Sequence, residues 1–477
     1  MDSQVKPTRA LFFMGGVAVA VGLLMLVFPS GKIPGTEFKI PQWSSLWSGG
    51  GGRNSGPVEA QPVDTVLNLD ELAGDPNVLK SLPEGDRLQY GPSDSTGLKK
   101  MVRALRRVAK EGGSLRVLHF GDSQIEGDRM TSLLREYFQK RFGGEGPSIQ
   151  PVFPFVPNFS LQHTASSNWK RYTHFGPPSA RVKSKQYGMQ GLMARFAPAD
   201  RPLGTDTLRS WLEFRPSNVA YSHARSFRKI TFTYGNLRAP LTVRLYANDT
   251  LHSVRTLTET TGIDSETWRL TATPRKIRME FEGVDSPDAH GISFDGNQGV
   301  SVDNIAMRGA AGVTFSSMDR THFGRALGRE PVGLILLQFG GNAVPHVKDQ
   351  AAVDRFGRSI ALQIRLFQQW CPDADIVLIG PSDMCRKVDL TYETFPNLEN
   401  VRDALKKAAF DEGVGYFDTY AFMGGPGSMR RWVEEVKPPL AGPDYIHFTP
   451  SGARKAGEGI LRALEAQLQN DGVDAPL

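Results

Sequence analysis

The chain has 477 residues, of which 40% are hydrophobic and 22% charged, a composition that excludes a disordered or fibrous protein and leaves room for two or three packed cores. Lysine and arginine exceed aspartate and glutamate by 56 − 50 = 6, but the excess is spread out and forms no basic stripe with interleaved aromatics, so a nucleic-acid partner is not expected. The two cysteines, Cys371 and Cys385, are too few for a disulfide framework or a thiolate metal site, and the strand expected between them exceeds the span of a disulfide.

Residues 1–9 read as a short cytoplasmic tail. Residues 10–28 (ALFFMGGVAVAVGLLMLVF) are an uncharged apolar run of the length that spans a bilayer. Lys6 and Arg9 precede it, which favours an inside N-terminus and an outside bulk. The run is long for a signal-peptide core, and no small-x-small site lies in Pro29-Ser-Gly-Lys-Ile-Pro34. A single-pass anchor in the inner (cytoplasmic) membrane is therefore expected, with the remaining chain periplasmic or extracellular. Residues 29–92, which carry SGGGGR and scattered prolines, read as a tether.

A helical pattern follows, with Leu98, Met101, Val102, Leu105 and Val108 on one face. The stretch Arg116-Val-Leu-His-Phe-Gly-Asp-Ser-Gln124 reads as a buried strand, a tight turn and the start of a helix, a setting that holds a serine hydroxyl clear of both elements. From about 158 to 301 the texture changes to short alternating runs, among them 210–214, 229–233, 241–246, 276–281 and 291–294. Their turn spacing predicts a β-sandwich inserted into the surrounding unit. Strands at 302–309, 332–339, 375–380 and 415–418 then alternate with helices near 318–327, 352–370, 398–412 and 449–468. With the serine strand they predict a five-stranded parallel sheet covered by helices on both faces.

In such a sheet ligands bind beyond the C-terminal ends of the strands. Ser123 follows the first strand, Gly309 closes the second, Asn342 follows the third, and Asp444-Tyr-Ile-His447 precedes the last helix. Taken singly, each has a dull reading: a helix N-cap, a strand-ending glycine, a turn, a packed loop histidine. Convergence on one edge favours function. A serine hydroxyl needs a base to become a nucleophile. His447 is the expected base and Asp444 its orienting carboxylate. The backbone N–H groups of Ser123 and Gly309 and the amide of Asn342 are the expected oxyanion donors. His119 reads as a core residue with a satisfied ring. The remaining histidines show no metal-ligand spacing, so neither a metal nor a cofactor is expected.

Together, Gly121-Asp-Ser123, Gly309, Gly341-Asn342 and Asp444-x-x-His447 resemble the four blocks of the SGNH (GDSL-type) hydrolase family, over residues 93–157 and 302–470. The third block departs from the family's frequent Gly-x-Asn-Asp, because Ala343 follows the asparagine. The resemblance implies a three-layer α/β/α, flavodoxin-like domain with Ser123, His447 and Asp444 as catalytic residues and Ser123, Gly309 and Asn342 at the oxyanion. A β-rich insert at 158–301 is similar to the arrangement in membrane-anchored peptidoglycan O-acetylesterases of Gram-negative bacteria, whose jelly-roll-like insert resembles a carbohydrate-binding module. That implies an esterase removing O-acetyl groups from a cell-wall or extracellular glycan through an acyl-Ser123 intermediate. An O-acetyltransferase using the same triad, and a non-catalytic, membrane-tethered glycan-binding protein, are the competing readings. No oligomeric state follows from the sequence.

Overall fold

The computed structural model describes residues 82–92 and 97–473. The membrane span expected at 10–28 lies outside the described residues; among those, no helix is long and apolar enough to cross a membrane.

Helix α1 (Lys99–Glu111) buries Met101, Val102, Leu105 and Val108 and stops at Gly112. Strand β1 (Ser114–Gly121) is buried from Leu115 onward, and α2 (Thr131–Phe142) follows the serine turn. The chain then enters the β-rich region: β2 (Ser148–Gln150), β3 (Leu161–Ala165), β4 (Lys170–Thr173), β5 (Leu192–Arg195), β6 (Leu208–Pro216), β7 (Lys229–Leu237), β8 (Leu241–Ala247), β9 (Thr250–Leu257), β10 (Thr260–Arg269), β11 (Ile277–Gly283) and β12 (Asp288–Asp295). One sheet has the order β10-β7-β12-β5-β4, with β2 also on β12, and the other β3-β6-β11-β8-β9. All these pairings are antiparallel. Alternate residues such as Leu212, Phe214, Phe232, Val243, Phe281 and Phe294 fill one core between the two sheets, as sandwich packing requires. β2 lies ahead of the position near 158 where the change of texture begins, because its three residues carry too little pattern to read. β9 and β10 are largely polar, the first mostly exposed and the second mostly half-buried, the sheet-end condition that erases an alternating signal.

The α/β pattern resumes with β13 (Gly299–Ala306), α3 (Arg320–Leu327), β14 (Val332–Gln338), α4 (Gln350–Trp370), β15 (Asp375–Ile379), the hairpin β16 (Cys385–Val388) and β17 (Thr391–Thr394), α5 (Leu398–Asp411), β18 (Gly415–Phe417), α6 (Thr419–Met423), α7 (Ser428–Glu434) and α8 (Pro450–Asn470). β13 ends three residues before Gly309, which sits in the following turn at φ 78°, so the glycine does not close the strand. β13-β1-β14-β15-β18 form a five-stranded sheet, parallel throughout. In chain order that is 2-1-3-4-5, the flavodoxin-like arrangement, whose switch point lies between β1 and β14.

Alternation along each strand supplies both faces. Val117, Val302, Leu336 and Val377 pack with α1, α2 and α8; Phe120, Ile305, Ile335 and Leu378 pack with α3, α4 and α5. Strands buried on both sides read as continuous apolar runs. The end of the stretch read as a tether is not free: Leu82 and Leu88 are buried, and Gln89 exchanges backbone hydrogen bonds of 2.8 and 2.9 Å with Tyr416. That pairing covers the outer edge of β18, which would otherwise expose unpaired backbone.

The sandwich is fastened to the parallel sheet by a buried ionic hub. Arg116 of β1 reaches Asp303 of β13 at 2.8 Å, Asp295 of β12 at 2.8 Å and Glu330 at 2.5 Å. Asp303 also accepts from the backbone N–H of Ile149 in β2 (2.9 Å), and Lys229 of β7 lies 3.3 Å from Glu330.

Candidate active site

β1 ends at Gly121, where a side chain would meet Ile125 Cδ1 at 2.9 Å and the Gln338 carbonyl at 3.2 Å. The chain can therefore turn tightly beside β14, and Ser123 emerges at the switch point. The loop after it is held from below. Arg135 of α2 grips the fully buried Asp128 with bonds of 2.6 and 3.0 Å and reaches the carbonyl of Val302 at 2.8 Å. Asn304 donates to the Ile125 carbonyl (2.9 Å) and to Thr131 Oγ1 (2.7 Å). Thr131 in turn bonds His119 Nδ1 at 2.9 Å, and His119 Nε2 bonds Gln338 Oε1 at 3.0 Å. Burial drives the His119 imidazole down to about 4, so it stays neutral and structural, as the sequence predicts.

Across the cleft, Thr449 caps α8 by accepting from the N–H of Gly452 at 3.2 Å, with Pro450 in the first turn. The preceding loop carries Asp444 and His447. Asp444 Oδ1 accepts from the N–H groups of Ile446 and His447, each at 3.0 Å, and Oδ2 lies 2.7 Å from His447 Nδ1. Burial tends to raise the Asp444 carboxyl, but these bonds from His447 and Ile446 outweigh it and hold it below the usual range. Tyr445, at φ 56°, stacks its ring on Tyr392 of β17 with centroids 3.6 Å apart. Its backbone carbonyl accepts from Cys385 N–H at 2.9 Å. The β16–β17 hairpin, which the sequence does not announce, is thus a brace for the histidine loop.

Ser123 Oγ lies 2.8 Å from His447 Nε2, across 324 positions of sequence. With Nδ1–H donating to Asp444, Nε2 is the acceptor and the serine hydroxyl the donor. Asn342 belongs to the same edge: its Nδ2 donates to Asp122 Oδ2 at 2.9 Å and to the Ala310 carbonyl at 3.2 Å. It therefore joins the loops after β1, β13 and β14. Burial, against the bonds from Gln124 and Asn342, pushes the Asp122 carboxyl up to about 6. Gly309 adjoins Ala310, and a Cβ built on it meets no heavy atom within 4 Å. All five residues expected from the sequence thus lie on loops at the C-terminal edge of the parallel sheet. Ser123, His447 and Asp444 form one hydrogen-bonded chain; Asn342 bonds the immediate neighbours of Ser123 and Gly309.

Two further residues staple the halves of the site. The Gln124 side chain donates to the Ile446 carbonyl at 2.8 Å and accepts from Phe448 N–H at 3.2 Å, spanning His447 on both sides. Arg129 donates to the carbonyls of Ser123 (2.9 Å) and Phe448 (3.0 Å). Neither is legible beforehand, because a loop glutamine and a loop arginine carry no spacing signal; position beside the Gly-Asp-Ser turn is the one hint. Gln124→Ala is expected to lower kcat by about ten- to a hundredfold with little change in KM, since it loosens the placement of the base rather than substrate contacts. Steady-state kinetics on a small acetyl ester measure this.

No family model matches the chain, and no curated protein matches it in sequence. Among solved structures, a peptidoglycan O-acetylesterase is 20% identical, aligned over 79% of this chain and 99% of its own, with a TM-score of 0.61. A family two carbohydrate esterase from Clostridium thermocellum, solved in complex with cellohexaose, is 11% identical over 58% of this chain and 96% of its own, with a TM-score of 0.25. The chain therefore has the SGNH-type α/β fold with a five-stranded parallel sheet, the fold it shares with a peptidoglycan O-acetylesterase.

Proposed function

We propose that the protein is a serine esterase that removes O-acetyl groups from a cell-wall or extracellular glycan. The 2.8 Å contact between Ser123 Oγ and His447 Nε2 carries the reading. In this mechanism His447 takes the Ser123 proton as the hydroxyl attacks the acetyl carbonyl, and Asp444 stabilises the imidazolium. The oxyanion is met by the N–H groups of Ser123 and Gly309 and by Asn342. The hydrogens of Asn342 Nδ2 are both engaged in the free protein, and the 3.2 Å bond to Ala310 is the longer one to exchange for the oxyanion. Collapse returns the proton through His447 to the departing sugar oxygen. Water, deprotonated by the same imidazole, then releases acetate from acyl-Ser123.

Shared fold with a peptidoglycan O-acetylesterase supports an acetylated glycan as substrate. The apolar segment 10–28 belongs to the same reading, as the anchor that leaves this site facing the periplasm or exterior, and the sandwich as a sugar-binding module. Acetate release from O-acetylated cell-wall material by the purified protein tests the proposal. Acetyl transfer to an added glycan acceptor that outpaces acetate release would replace it with an acetyltransferase. Asp444→Asn is expected to cost about tenfold in kcat, less than loss of the serine or histidine. Its side chain is half exposed, so water substitutes in part for its support of the imidazolium; kcat of the variant on the same ester is the check.

A further inference from the structure

Beside the nucleophile turn, three arginines gather around one carboxylate. Arg308, adjacent to Gly309, holds Glu126 through Nε at 3.0 Å and Nη2 at 2.5 Å, and its side chain is half exposed. Arg129 is engaged by the carbonyls of Ser123, Glu126 and Phe448. Arg171 of β4 is engaged by the carbonyls of Phe153 and Pro154, at 2.7 and 2.8 Å. Among the described residues neither Arg129 nor Arg171 has a carboxylate at ion-pair distance; burial holds both guanidiniums below the usual arginine range, with Arg308 repelling each and Glu126, further off than an ion pair, attracting each. Arg129 and Arg171 rest on backbone carbonyls and share the charge of Glu126 with Arg308, so three guanidiniums face one carboxylate and leave a net positive field at this corner, which an anionic ligand neutralises.

The same corner carries Phe155, 40% exposed. Arg171 Cζ sits 3.4 Å from its ring centroid and Arg308 Cζ 5.8 Å from it. The loop bearing Phe155 is pinned to the nucleophile loop by the bond from Phe159 N–H to the Gly127 carbonyl, 2.9 Å. The β-rich region therefore brings an aromatic face and one further cation, Arg171, to the rim of the site, beside Arg129 and Arg308.

We propose that Phe155 and Arg308, with Arg171 holding the ring in place, form a subsite for a carboxylate-bearing sugar next to the acetylated one, so that the substrate is an acidic glycan. The exposed ring of Phe155 takes the apolar face of the pyranose, and Arg308 exchanges Glu126 for the sugar carboxylate in a bidentate pair. The inference rests on the esterase reading, and the test separates the two.

The probes are O-acetylated polyuronate strands, in which every pyranose including the neighbour of an acetylated one carries a carboxylate, and the same strands after amidation of those carboxylates. The unmodified protein is expected to turn over the acidic strands with kcat/KM about tenfold higher, a preference that fades at about 0.5 M salt. Arg308→Gln removes the preference by raising KM for the acidic strands. Phe155→Ala raises KM for both strands by about tenfold. Direct binding to Ser123→Ala protein, with deacetylated acidic and amidated strands compared by calorimetry, repeats the comparison without catalysis. Equal affinity for the two in that assay, or Arg308→Gln weakening both alike, overturns the subsite even if no ester is hydrolysed. Failure to hydrolyse any ester overturns the esterase reading instead.

Discussion

Ser123→Ala is expected to abolish ester hydrolysis, lowering kcat by about ten-thousandfold or more, with the folded protein otherwise unchanged. The hydroxyl is the only atom removed. It sits at the end of β1, and the turn around it is held by Gln124, Arg129 and the Arg135–Asp128 pair rather than by Oγ. His447→Ala is expected to fall to the same floor, because a serine without its base is no nucleophile at neutral pH. The double variant falls no further, since the two groups act as a unit. Kinetics on a chromogenic acetate, with circular dichroism to confirm the fold, decide it. Additive losses, or a variant of either residue retaining a tenth of the activity, contradict the assigned roles.

The largest effect on stability is expected at Arg116. This guanidinium is 4% exposed and is the shared partner of Asp295, Asp303 and Glu330. Arg116→Met keeps most of the side-chain volume but leaves two buried carboxylates without their cation, a loss of about 3–5 kcal/mol. Because the acids belong to β12 and β13 and to the approach to β14, the damage falls where sandwich and parallel sheet meet. Urea unfolding followed by tryptophan fluorescence measures it. Adding Asp303→Asn and Asp295→Asn to the variant is expected to recover part of the loss, since the unpaired charges cause it. A shift below about 1 kcal/mol for Arg116→Met would mean that water reaches the hub and screens it.

The parallel sheet was legible because its strands are buried on both faces. Val332–Gln338 and Asp375–Ile379 are apolar almost throughout, and between each and the next parallel strand lies a helix with its own stripe. The chemistry was legible for a different reason: a Gly-Asp-Ser turn and an Asp-x-x-His pair are local patterns, and strand order places them on one edge. Less could be read where structure comes from tertiary contact. The polar strands β9 and β10 owe their form to pairing with β8 and β7. The β16–β17 hairpin owes its importance to Tyr392 meeting Tyr445. Gln124 is informative only once Ile446 and Phe448 stand beside it. Gly309 shows the limit of a strand-end reading, since the strand stops at Ala306 and the glycine serves the turn beyond.

Covalent labelling tests the nucleophile most directly. The purified protein is treated with a fluorophosphonate and digested, and the modified peptide is sequenced by mass spectrometry. One adduct is expected, on Ser123, forming readily at neutral pH and no longer forming in His447→Ala. Full ester hydrolysis with Ser123 unmodified, or labelling that persists undiminished without the imidazole, would contradict the account.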